Sequence, residues 1–468
     1  MEKKSTRRTF LRKISGTIAA TSIGVAGWSN ISLKNRSRND LMVFSEGQIG
    51  TLKLKNRFIR AAASERAYLN GAPTDDYLKI VESYAAGGVG LIITGAMEVI
   101  PAGMGWIRTY DDLYIPEMEK IASAAHSADD TCKIMAQLWH SENAGPSGIS
   151  WTGGSSIPIL TVDQIEDRIS KYSEAIRRVR DAGFDGTELN AHYTYFLSSF
   201  LSPFTNKRSD DYGGSGENRV RIVKEIVDQA REKVGSEFPI MIKVNCDDSF
   251  DPDVPNIDGT NIDNFHLLAA ELEKAGVDAI ELSGVTLLRD DIDTIDEESY
   301  FSAYSEKLDV GIPVILTGGN RTLDLLEEII HRDKVDFFGM ARPLIREPDL
   351  PNRWLEGKSV ESKCISCNNC FNASGPLHCF WGPGVGIEHK NPSELRIYPN
   401  PVKDILYIEV PDTLRGGFEV VISDLKGREI FTSFGNMKQL DLSSFQKGVY
   451  LITIRSEGFV ATEQIIKL

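Results

Sequence analysis

From residue 40 onward, short apolar runs alternate with longer segments whose apolar residues recur every three or four positions. The short runs fall at 57–63, 90–96, 133–138, 186–190, 240–245, 279–283, 314–317 and 337–340. Segments of helical period lie between them, for example at 74–86, 170–182, 220–234, 262–275 and 323–331. A short continuous apolar run bounded by turn residues reads as a strand buried on both faces, and the longer period as an amphipathic helix. Eight such alternations over about 310 residues predict an α/β fold, a closed parallel (β/α)8 barrel. A doubly wound sheet is the runner-up, but it would carry a GxGxxG turn after its first strand, and none is there. Beyond residue 396 the texture changes to short alternating runs at 405–410, 419–423, 429–432, 440–442, 449–455 and 461–467. These predict a small all-β sandwich following the barrel, near the lower size limit for independent folding.

Composition narrows the function classes. The 468 residues carry a net charge of -15, which argues against nucleic acid and anionic membrane faces as partners. No apolar run is long enough to span a bilayer as a mature helix. The N-terminus reads STRRTFLR at 5–12, followed by a mild apolar segment at 14–28 rich in Gly, Ser and Thr. A basic head before such a segment looks like a twin-arginine export signal. We therefore divide the chain into an export signal and linker (1–39), a barrel (40–358), a Cys-rich segment and linker (359–392) and the sandwich (393–468).

In a barrel of this kind, chemistry sits where the strands end on their C-terminal side. Strand 1 ends in Ala61, Ala62, Ala63 and Ser64, and strand 2 passes through Gly95 and Ala96, small residues that let backbone approach a flat ring. Strand 3 ends QLWH, with Gln137 offering both a donor and an acceptor. Strand 5 carries Lys243, a cation that is costly inside a barrel unless paired. Gly318 and Gly319 follow strand 7, and Ala341 and Arg342 follow strand 8. Glycine-rich turns at these two strand ends, with a guanidinium beside them, are a phosphate-binding arrangement.

The stretch after strand 4 is the most specific. It contains FLSP (200–203), NKRSDDYGGS (206–215) and ENRVR (217–221). Together with QLWH, these motifs resemble the old yellow enzyme family of FMN-dependent ene-reductases, which adopt the TIM-barrel fold, over residues 41–357. The resemblance implies FMN as cofactor, held by Ala62, Ser64, Ala96, Gln137, Lys243, Gly318, Gly319, Ala341 and Arg342, with Gln137 and Lys243 at the pyrimidine edge of the flavin. It implies hydride transfer from NAD(P)H or another reductant, through the flavin, to a small activated alkene. Anchored on Ser202 and Pro203, the family's proton donor falls at Tyr195. Its carbonyl-binding pair, usually two His or a His and an Asn, falls at Asn190 and Tyr193, neither of which can become cationic. A loop shift of one or two residues would bring in His192 instead. The rival reading is an exported flavin-binding or scaffold protein without ene-reductase activity.

Cys364, Cys367, Cys370 and Cys379 form a dense thiol group. Their spacing resembles the iron–sulfur segment of the 2,4-dienoyl-CoA reductase branch, which has a wider spacing before the third Cys and a longer gap to the fourth. A 4Fe–4S cluster, a zinc site and disulfides all remain open. In the sandwich, YPNP (398–401), DLKGR (424–428), LDLS (440–443) and GVYLI (448–452) resemble the sorting domain of the type nine secretion system. That implies the secretion machinery as a partner, with passage through the periplasm to the cell surface or medium. A carbohydrate-binding sandwich is the alternative, disfavoured because no exposed aromatic platform is legible.

Overall fold

The computed structural model describes residues 37–468, apart from 103–104, 142–143, 152–156, 250–257, 286–291, 293, 373–374, 380–395, 411–417, 425–427, 436 and 457–458. The expected export signal lies outside the described residues. Eight parallel strands close into a barrel in sequence order: β1 (Phe58–Arg60), β2 (Leu91–Glu98), β3 (Lys133–Trp139), β4 (Gly186–Ala191), β5 (Ile240–Asp247), β6 (Ile280–Gly284), β7 (Val314–Thr317) and β8 (Phe337–Met340). The closing pair joins β8 to β1, with Gly339 opposite Ile59. Among the described residues no helix is long and apolar enough to cross a membrane.

Alternation along the strands stacks the interior in layers. Ile59, Ile93, Met135, Met241, Ala279, Ile315 and Phe337 form an apolar floor, closed from below by Ile49 and Leu54 of a hairpin. Two residues further along their strands stand Gln137, Lys243, Glu281, Thr317 and Gly339. The period of two that lays the floor thus also lays a polar layer directly above it.

Two helices begin earlier than the apolar period predicts. Val162–Asp181 starts at a Thr161–Gln164 capping box, and Gly216–Val234 starts where Ser215 Oγ accepts the Asn218 N–H at 3.1 Å. In both, a side-chain cap marks the first residue of the helix.

The C-terminal strands are β9 (Arg396–Tyr398), β10 (Ile405–Glu409), β11 (Phe418–Asp424), β12 (Glu429–Gly435), β13 (Gln439–Asp441), β14 (Gly448–Ser456) and β15 (Phe459–Lys467). They form two antiparallel sheets, ordered β9-β10-β13 and β12-β11-β14-β15. One apolar cluster joins the two: Ile397, Leu406 and Ile408 pack with Val420, Ile422, Ile452 and Ile454. Contrary to expectation, an exposed aromatic pair is present. Tyr398 and Tyr407 stack at 5.6 Å across β9 and β10. Cross-strand register brings these two side chains together, which a linear reading could not show.

Candidate active site

A cavity of about 280 Å³ opens at the C-terminal mouth of the barrel. Its wall contains Ala62, Ser64, Ala96, Gln137, Lys243, Gly318, Gly319, Ala341 and Arg342, every residue expected from the sequence to face a cofactor. Asn190 and Tyr195 also line it, and Tyr193 does not. The turn after β7 needs its glycines. Gly318 and Gly319 have φ of 138° and 77°, and a Cβ on either would meet the Tyr300 ring at 2.7 or 2.9 Å. The next residue, Asn320, fastens the turn by donating to the Leu316 and Gly339 carbonyls at 2.7 and 3.0 Å.

The polar layer is one connected network. Asn190 Nδ2 donates to Gln137 Oε1 at 2.9 Å, and Gln137 Nε2 donates to Glu188 Oε1 at 2.6 Å. Lys243 Nζ stands 2.7 Å from Glu281 Oε1, and both side chains are almost fully buried. Lys243 is therefore a cavity-lining cation and half of a buried ion pair at once. Burial, then the like charge of Glu281, push the Glu188 carboxyl well above its ordinary range, so it holds its proton. Burial also pushes the Glu281 carboxyl up, but the Lys243 ammonium and the Glu188 hydroxyl outweigh it and keep Glu281 ionised.

Tyr195 is buried against aromatic neighbours: Trp139 meets it edge-on at 5.5 Å, and the His192 ring stacks on it at 5.8 Å. Burial, with the neighbouring Tyr193, pushes the Tyr195 phenol up to about 12. His192 takes the place in the cavity that the sequence had suggested for Tyr193. Asn245, at the end of β5, causes the exchange. It accepts the Tyr193 N–H at 2.7 Å and donates to the Tyr193 carbonyl at 2.9 Å, clamping Tyr193 at φ +54°. A non-glycine residue in this left-handed region turns the chain, sending successive side chains to different sides. Burial and the nearby Lys243 ammonium hold His192 well below its ordinary range, so its imidazole is neutral.

Residues 43–361 match the NADH:flavin oxidoreductase / NADH oxidase family. The chain belongs to this family. Residues 396–468 match a secretion system C-terminal sorting domain. Among curated relatives, a metal reductase of Desulforamulus reducens is 35% identical, the match covering 76% of this chain and 55% of the relative. An NADH oxidase of Thermoanaerobacter brockii is 33% identical, covering 74% and 56%. The chain thus spans a little over half the length of these relatives. Among solved structures, 2-naphthoyl-CoA reductase superposes with a TM-score of 0.65 at 23% identity, covering 74% of this chain and 57% of that one. An old yellow enzyme homologue from Zymomonas mobilis superposes with a TM-score of 0.55 at 23% identity, covering 68% and 94%. At those identities the superpositions establish the fold.

The motifs in the loop after β4 are structural. Asn206 Nδ2 donates to the Phe200 and Tyr212 carbonyls, and Arg208 Nη1 to the Pro146 and Leu160 carbonyls. Arg219 donates to the Leu201 and Gly214 carbonyls. These residues shape the long loop after β4, and none of them lines the cavity. The sequence reading missed Trp106, Tyr300, Phe301 and Phe371 in the cavity wall. Phe371 belongs to the Cys-rich segment, which Arg66 ties to the barrel through the Cys370 and Phe371 carbonyls. Tyr300 and Phe301 meet the glycine turn only in the fold, so no local sequence signal pointed to them.

All six cysteines are free thiols in the structure. Cys364, Cys367, Cys370 and Cys379 line one small second cavity together with Arg342 and Arg346. Among the described residues, no three His, Cys, Asp or Glu side chains converge as a metal-ligand set. The four thiols as arranged do not fit a metal, and no step below runs through one.

Proposed function

We propose that this family member is an FMN-dependent oxidoreductase that takes hydride from NAD(P)H and delivers it to an activated alkene such as an enone. The observation that carries the reading is the single cavity lined by all nine residues the resemblance assigned to FMN, together with Asn190 and Tyr195. Small side chains at Ala61, Ala62, Ala63 and Ala96 leave room for a flat ring, while Gln137 and Lys243 supply polar contacts at its edge. The glycine turn after β7 and the Arg342 guanidinium suit a phosphate. When bound, FMN supplies the acceptor and donor of hydride.

The protein's own groups do the rest. His192 is the neutral imidazole available to hydrogen-bond the substrate carbonyl, in the role first assigned to Tyr193. Tyr195 holds a proton at its phenol oxygen and gives it to the carbon beside the activating group as the enolate collapses. Trp106 and Trp139, 4.4 Å apart, form an apolar wall beside Tyr195 that limits water near the reacting carbon.

The test is the visible spectrum of the purified protein under anaerobic conditions. NADH or NADPH should bleach the flavin bands, and an enone should restore them. A bound flavin that stays oxidised with both nucleotides would favour the scaffold reading. Flavin that is reduced but never reoxidised by any alkene would limit the activity to nucleotide oxidation.

The C-terminal sheets deliver the protein to the surface or medium and take no part in catalysis. Deleting residues 396–468 should leave the flavin spectrum and turnover unchanged and retain the protein in the cell. Cell fractionation with an activity assay checks both halves. The four clustered thiols are proposed to be withdrawn in the isolated protein as disulfides, because as arranged they do not fit a metal. A thiol count in denaturant, without reductant or chelator, should then fall short of the six cysteines present. Six reactive thiols would overturn the disulfide proposal.

A further inference from the structure

Glu188 and Glu281 are fully buried, and neither lines the cavity. They stand on β4 and β6, with Lys243 of β5, which does line the cavity, between their strands. The second Glu188 oxygen has no neutral protein donor, while Glu281 Oε1 is held by the Lys243 ammonium at 2.7 Å. The two carboxyls nevertheless lie within hydrogen-bonding reach of each other. Two carboxylates cannot be buried in contact as acceptors alone; a proton between them satisfies both. The resting cluster is then a neutral Glu188, an ionised Glu281 and a cationic Lys243, with no net charge.

We propose that this carboxyl pair is a redox-linked proton site that takes up one solvent proton when the cofactor in the cavity above it is reduced. The inference rests on the FMN reading above. A hydride brings two electrons and one proton to the ring and leaves one negative charge on its edge. Gln137 and Lys243 are the residues assigned to that edge. Lys243 cannot neutralise the new charge fully, because Glu281 already shares its ammonium. Two anions on one buried ammonium repel, and the proton affinity of Glu281 rises. One proton from water binds Glu281, forming its O–H bond, and the cluster passes from neutral to +1. Ring and cluster together then change by two electrons and two protons, with no net charge buried.

The charged and titratable groups facing the pair are few. Lys243 comes from β5 and His192 from the loop after β4, the latter neutral and next to Lys243. Gln137 of β3 and Thr317 of β7 complete the surroundings without titrating. The apolar floor of Met135, Met241 and Ile315 separates the pair from the base of the barrel.

The test is the flavin midpoint potential of the full chain, measured by spectroelectrochemistry from pH 6 to pH 8.5. Two protons per two electrons predict a fall of about 59 mV per pH unit, and one proton about 30 mV. The parent should follow the steeper line and Glu281→Gln the shallower one. A parent at about 30 mV, or a variant that keeps the steep slope, overturns the proposal. The second outcome would place the extra proton on the ring itself. Should Glu281→Gln fold poorly, reduced-minus-oxidised infrared spectra of the parent decide the question. A protonated carboxyl C=O band should appear on reduction and shift in deuterated water; no such band overturns the proposal. FMN titration of the apoprotein by fluorescence quenching separates the two levels. No binding defeats the FMN reading, whereas binding with a shallow slope defeats only the proton site.

Discussion

Replacing Tyr195 with Phe should slow reoxidation of the reduced flavin by an accepted alkene by on the order of 100-fold or more, the usual contribution of a positioned general acid. Flavin reduction by NAD(P)H needs no proton from this residue and should stay close to the parent rate. Stopped-flow measurement of the two half-reactions separates these effects. The geometry supports the split: the phenol lines the cavity and is packed between Trp139 and His192, so losing one oxygen leaves the ring in place. With its phenol at about 12, Tyr195 keeps its proton across the working range. The alkene half-reaction should accordingly show no alkaline fall-off below about pH 10 that Tyr195→Phe abolishes. Reoxidation of the variant at the parent rate with every accepted alkene would remove Tyr195 from the role.

Lys243→Met should destabilise the folded chain by about 3–5 kcal/mol at neutral pH, the usual cost of stranding one partner of a buried ion pair. The effect should depend on pH in a defined direction. Without the ammonium, Glu281 sits beside Glu188 in a dry barrel and its folded pKa rises above the unfolded value near about 4.3. A group raised on folding contributes its stability in full below the unfolded value and loses it as pH rises. The gap in melting temperature between parent and variant should therefore widen from pH 5 to pH 8. Adding Glu281→Gln to Lys243→Met removes the stranded charge and should recover most of the loss. A gap that is constant with pH, unrelieved in the double variant, would mean that packing rather than charge explains it.

The barrel was legible because its signal is local. Each strand is a short apolar run and each helix a run of helical period, and both are read within a dozen residues. The cavity wall was legible for a related reason. Every strand end lies at the same mouth of a closed parallel barrel, so small or polar residues there share a cavity once closure is granted. Ala62, Gln137, Lys243, Gly319 and Arg342 needed nothing more. The loop after β4 was recognisable through Asn206, Arg208 and Arg219, although the structure shows them bonding to backbone carbonyls rather than facing the cavity.

What the tertiary structure alone decided were contacts between residues far apart in the chain. The exchange of Tyr193 for His192 depends on Asn245, which is 52 positions from the backbone it clamps. The pairing of Lys243 with Glu281, and of Glu281 with Glu188, depends on the register of three strands, and a shift of one residue would turn each side chain to the other face. Phe371 reaches the cavity because Arg66, Arg321 and Arg342 hold the Cys-rich segment against the barrel. Local pattern therefore determined which elements form and which of their ends meet. The side chains that touch there, and the charge each can carry, were set by barrel register and loop closure, which no window of sequence contains.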